Sequence, residues 1–180
     1  IYLKFPFKIF KEESWDVEHI DSFTSNTLTS YETQKEWLNI SFNDLKKINN
    51  NIDAELDSRI NDFTSNPDSD IEFSELRNEI IELAGEVIND EDVKNGIGNL
   101  TLLNADINRS YGNSLFPTKR RIIIEKDNEG KFIPICTKHV FLKYFDKHGI
   151  SSPNWQEKDI LNYQNNIGEI LSFFLNAKTK

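Results

Sequence analysis

An α+β fold is what this sequence predicts: two short strands set far apart, with helices between and after them. Trp15-Asp-Val-Glu-His-Ile20 has the β-branched and aromatic make-up of a strand, and Ser22 to Ser30, rich in Ser, Thr and Asn, supplies its exit. Ile97 to Leu103, opened by Gly96 and Gly98, reads as the second strand. Between them Leu38, Phe42, Leu45, Ile48, Ile52, Leu56, Ile60 and Phe63 recur at helical spacings.

The elements follow in order. Residues 1 to 13 alternate apolar and basic side chains, which predicts a further strand, with Pro6 favouring an edge. The helical stripe divides into two or three helices, because Asn49-Asn-Asn51 weakens it, and Ser41 to Asp44 resembles a capping box. Asn66-Pro67-Asp68 ends the stripe. A helix from about Ile71 to Asn89 follows, with Ser69 and Glu72 as its cap. The pattern predicts helix again from Ala105, an interruption near Gly112-Asn113, and resumption after Pro117, while at Ile122 to Glu125 the three consecutive Ile favour a strand. Asp127 to Gly130 reads as a turn, and Thr137 to Lys147 as a helix ended by Gly149. His139 and His148 lie on it nine residues apart, not at the i, i+4 spacing of a metal pair, and read as surface residues. Pro153 to Asn176 closes the chain with an amphipathic helix that should pack on the core.

Composition narrows the function classes. A chain of 180 residues suits one domain, here 1–180 with a helical insertion at about 30–92. Cys136 is the only cysteine, which rules out an internal disulfide and Cys-x-x-Cys zinc pairs and suits a reducing, cytoplasmic setting. No run approaches a membrane span, so no membrane partner is expected. The chain has no Met and begins with apolar residues, so a fragment of a longer polypeptide is expected. Net charge is -9, against a protein that grips nucleic acid by bulk charge. Yet Ile107 to Ile124 holds Arg109, Lys119, Arg120 and Arg121 and no acid, a local basic patch.

That patch adjoins the two stretches that carry chemistry. Glu18-His19-Ile20, then Gly98-Asn-Leu-Thr-Leu-Leu103, then Asn108, nine residues after Asn99, resemble the His-Asn-Asn form of the HNH (ββα-metal) nuclease motif. The flanks Trp15-Asp-Val-Glu-His-Ile20 and Asn108-Arg-Ser-Tyr-Gly-Asn-Ser-Leu-Phe-Pro-Thr-Lys-Arg120 are similar to the C-terminal HNH domain of GmrSD-type modification-dependent restriction endonucleases. The resemblance implies a ββα-metal core, here with a long helical insertion between the hairpin strands and helices at the C-terminal end, and it favours helix over strand at Ile122 to Glu125. It also implies hydrolysis of DNA phosphodiesters in a bacterial anti-phage or modified-DNA restriction system, beside an N-terminal nucleotide-hydrolysing domain of the same longer protein.

By position, His19 would be the general base, Glu18 and Asn108 the metal ligands, and Asn99 the brace that orients the histidine. Arg109 and Lys119 follow as candidate phosphate contacts. Oxygen ligands suit Mg²⁺ or Mn²⁺, and the absence of soft ligands argues against zinc. Asp16, two residues before Glu18, falls on its face in a regular strand. Two other readings stay open: a catalytically silent HNH-like module used for binding or regulation, and a helical interaction domain in which the motif is coincidence. Convergence of Glu18, His19, Asn99 and Asn108 would separate the last from the rest.

Overall fold

The computed structural model describes residues 6–21, 28–49, 52–88, 90–111, 113–145 and 152–177. Its sheet has two antiparallel strands, β1 (Trp15–His19) and β2 (Leu100–Asn104), paired from Trp15 opposite Asn104 to His19 opposite Leu100. Helix α1 (Phe7–Glu12) precedes β1, and α2 (Tyr31–Ile48), α3 (Ala54–Ser65), α4 (Phe73–Ala84) and the short α5 (Glu91–Lys94) fill the interval between the strands. After β2 come α6 (Ala105–Tyr111), α7 (Phe116–Asn128), α8 (Ile135–Phe141) and α9 (Glu157–Ala177). The α+β expectation therefore stands, with the two strands meeting across the inserted helices.

Local chemistry sets the boundaries. Ser30, not Ser41, caps α2, accepting from the amide of Thr33; Ser41 is buried in mid-helix. Asp53 caps α3 by accepting from Glu55 N, and Asn66 ends it, as the Asn-Pro-Asp break predicts. Helix α4 is shorter than expected. It begins after Glu72, which makes no side-chain cap, and Gly85 stops it with φ of 68°. The strand predicted over residues 1 to 13 is corrected where the chain is described: residues 7 to 12 are helical, and residues 1–5 lie outside the described residues. So short an apolar run carries either period, and the ladder decides, since β1 pairs with β2 rather than with this segment. Phe10 instead stacks on Trp15 at 5.4 Å and accepts its indole N–H at its carbonyl.

Among the described residues the buried apolar side chains form two clusters. Helices α2 to α4 pack through Leu38, Phe42, Leu45, Leu56, Ile60 and Leu76, joined by Leu115 from ahead of α7. The sheet and later helices share Ile20, Leu103, Ile107, Phe116, Phe141 and Trp155, with Phe116 stacked between the other two rings at 5.5 and 5.2 Å. Polar ties join the insertion to α7: Asp44 of α2 accepts from Thr118 at 2.9 Å and pairs with Arg121 at 3.0 Å. The closing helix departs from expectation. Trp155 ahead of it and Ile160 are buried, but Leu161 is exposed beside Ile160, and Leu171 and Phe174 are exposed in the second half of the helix together with Ile170, Phe173 and Leu175. Helix α8 stops at Phe141, short of Lys147, and Lys143 adopts φ of 53° beyond it; His148 and Gly149 lie outside the described residues. His139 is exposed, as read from the sequence.

Candidate functional site

The site forms where the ends of the two motif halves meet. Gly98 belongs to a 3-10 turn, Ile97–Asn99, and its missing side chain lets α9 in: a Cβ there would stand 2.3 Å from the Ile160 carbonyl oxygen. The strand expected from Ile97 therefore starts only at Leu100. The turn also buries Asn99 completely. Its carbonyl accepts from Ile20 N at 2.9 Å, its Oδ1 from Asp21 N at 3.3 Å and from the Trp155 indole at 3.0 Å, and its Nδ2 donates to Lys94 O at 2.8 Å. One side chain thus ties the turn after β1 to the segment ahead of α9 and to α5.

Asn104 ends β2 and opens α6 at the same residue. Its Oδ1 accepts from Asp106 N at 2.8 Å and Ile107 N at 3.4 Å, so strand passes into helix without a loop. Helix α6 touches both strands, and Asn108 on it donates from Nδ2 to Asp16 Oδ2 at 3.2 Å, across 92 residues of sequence. The donor end of this amide engages the carboxylate, and Oδ1 is the acceptor of Asn108. Asp16 and Glu18 share one strand face, about 7 Å apart along it. Opposite them in the ladder are Leu103 and Thr101, both buried, so this is the covered face of the sheet. His19 is the last residue of the ladder, immediately before the turn that Asn99 holds, and its Nε2 is buried.

Lys119 requires a correction. Expected as a phosphate contact in the basic patch, it is 1% exposed. Its ammonium donates to the carbonyls of His19 and Asp21, at 2.8 Å each, and stands 3.5 Å from Glu18 Oε1. Burial pushes that ammonium below its ordinary pKa, against the charges of Glu18, Asp21 and Glu86, which raise it. A group so enclosed does not reach substrate. Phe116, Lys119 and Ile123 all face inward at spacings of three and four, the signal in the sequence that this lysine belongs to the buried stripe of α7.

The rest of the patch also divides. Arg109 is exposed and pairs with Asp106 one turn away on α6. Arg121 is held by Asp44 and Glu125. The Asp44 carboxyl is pushed up by burial but, through hydrogen bonds from Arg121, Lys47 and Thr118, ends below its usual value.

Of the expected residues, then, Asn99 meets the turn after His19, Asn108 meets the strand of Glu18, Lys119 underlies both Glu18 and His19, and Arg109 stands outside on α6. Asp16 joins them as the partner of Asn108, a contact that only its place two residues from Glu18 hinted at. Among the described residues no helix is long and apolar enough to cross a membrane. No curated protein and no solved structure matches the chain. The family model described as GmrSD restriction endonucleases, C-terminal domain, matches residues 6–170, and the chain belongs to that family.

Proposed function

We propose that this chain is a metal-dependent HNH endonuclease domain that hydrolyses DNA phosphodiester bonds, and that β1, β2 and α6 are its ββα-metal core. The observation that carries the reading is the return of Asn108 to β1, where it donates to Asp16 on the face that also bears Glu18. Family membership supplies the restriction-nuclease class. The setting would be bacterial defence against phage or modified DNA, with target choice made by an N-terminal nucleotide-hydrolysing domain of the same longer protein.

The donor set suits a hard divalent cation. A carboxylate oxygen from Glu18 and the amide oxygen of Asn108 would hold Mg²⁺ or Mn²⁺, which retains waters in its other positions. Such an ion would neutralise phosphate charge and polarise the reacting oxygens. The chain's own residues do the remainder. His19, where β1 gives way to the turn, accepts a proton from the attacking water. Asn99 holds the turn in place, and Arg109 reaches a substrate phosphate from the exposed side of α6.

The test is plasmid cleavage alongside Mn²⁺ binding measured without DNA. EDTA should abolish cleavage and Mg²⁺ or Mn²⁺ restore it, with no need for Zn²⁺. His19→Ala should leave metal affinity and melting temperature near the parent's while cutting the rate by ~10²-fold or more. Asn108→Ala should weaken metal binding, so that raising the metal concentration recovers part of the rate. Cleavage by His19→Ala at the parental rate would sink the reading. Metal binding without cleavage by the parent would favour a silent binding module.

A further inference from the structure

The turn after β1 is held from two sides. Two of its amides go to the second motif half, Ile20 N to Asn99 O and Asp21 N to Asn99 Oδ1. Two of its carbonyls go to α7, where the single ammonium of Lys119 takes His19 O and Asp21 O, 2.8 Å each. The same ammonium lies 3.5 Å from Glu18 Oε1. A lysine is among the residues least often fully buried, because removing its charge from water costs free energy unless anions and acceptors replace the solvent. Here the replacements are the backbone on either side of Ile20 and the carboxylate of the expected metal ligand. A compact ammonium, with three donors on one atom, can gather converging acceptors that the planar fork of an arginine cannot.

We propose that Lys119 is a positioning residue of the nuclease site, resting on the metal reading above: it fixes the peptide groups that carry His19, and its charge holds Glu18 and competes with a divalent cation for it. Asn99 does for the amides of this turn what Lys119 does for its carbonyls. The two roles are separable. Clamping the turn governs the rate once metal is bound, whereas the charge beside Glu18 governs how readily metal binds. An approaching cation is repelled by the resident one, so affinity is held below what Glu18 and Asn108 would give alone.

The experiment compares the chain with Lys119→Met and Lys119→Arg, well below their melting temperatures. Mn²⁺ binding is measured without DNA, and plasmid cleavage at saturating metal. Lys119→Met should bind Mn²⁺ several-fold more tightly and yet cleave at least ten-fold more slowly. Lys119→Arg should keep the parental affinity and lose rate, because it preserves charge without the clamp. A strut with no part in the site would lower the melting temperature and leave both properties of the folded protein unchanged. Parental or weaker Mn²⁺ affinity in Lys119→Met, or a parental rate, overturns the proposal. If Lys119→Met does not fold, Lys119→Gln takes its place; should neither fold, parental cleavage by Lys119→Arg overturns it. Glu18→Gln and Asn108→Ala are the controls. If they leave Mn²⁺ affinity intact, the metal reading itself fails, whereas if they weaken it and the lysine variants do nothing, only this proposal falls.

Discussion

Replacing Asn99 by Ala removes three hydrogen bonds and very little apolar surface, so its cost can be worked from the partners left behind. Trp155 is wholly buried and Asp21 nearly so; the substitution deprives the indole N–H of one and the amide of the other of their acceptor. Lys94 O loses its donor too. A buried donor or acceptor left unsatisfied costs about 1–3 kcal/mol, and a water entering the vacated space recovers part of that, so a net loss of about 3 kcal/mol is expected. In a chain of this size each kcal/mol moves the melting temperature by about 2–4 °C, which makes the expected drop about 6–12 °C. Thermal unfolding followed by far-UV circular dichroism, checked by urea titration, reads it directly. A melting temperature within about 2 °C of the parent would refute the role of Asn99 as the tie between the turn, Trp155 and α5.

Gly98→Ala should be at least as damaging, about 3 kcal/mol, because the added Cβ meets the backbone of Ile160 rather than a side chain that can swing aside. A parental urea midpoint would show that α9 does not approach that closely. Asp44 gives a pH prediction. Its folded pKa lies below the unfolded value, so its contribution is complete above about pH 4 and is lost as pH falls through the folded value. Asp44→Asn should therefore destabilise the protein at pH 7 and flatten the dependence of stability on pH below 4, and an unchanged acid limb in urea titrations would contradict it.

The parts of this structure legible in the sequence are those set by local chemistry. The insertion helices follow their apolar spacing, α7 starts where Pro117 allows it, and the two strands carry their β-formers on either side of an insertion that hides their pairing. What was not legible is mostly a matter of which face looks where. Within the basic cluster Lys119 is buried while Arg121, two residues on, pairs with Asp44, because neighbouring residues on a helix point in different directions, and Arg109 lies apart on α6. Ser41 fits a capping pattern, yet the helix had already begun at Tyr31, so the pattern sits inside an element. The apolar stripe of α9 follows a helical period equally well where it is buried and where it is exposed, since periodicity reports a face and not its cover. The indole of Trp155 meeting Asn99 has no signal in spacing at all, being a contact between elements that only the assembled fold brings together.

The separation of the two strands bears on how such a protein comes into being. Joining chain ends across so long an interval costs on the order of 4 kcal/mol of loop entropy before any rung of the ladder forms. Helices α2 to α4 have a cluster of their own and contacts local in sequence, so they can condense first and shorten the effective span. A chain emerging from its N-terminus would carry Asp16 and Glu18 unpaired through the synthesis of all these helices, since Asn108 follows Asp16 by 92 residues. If the proposed centre is right, no shorter prefix of the polypeptide can contain it. A potentially destructive activity would then be withheld from the cell until its own scaffold has been made.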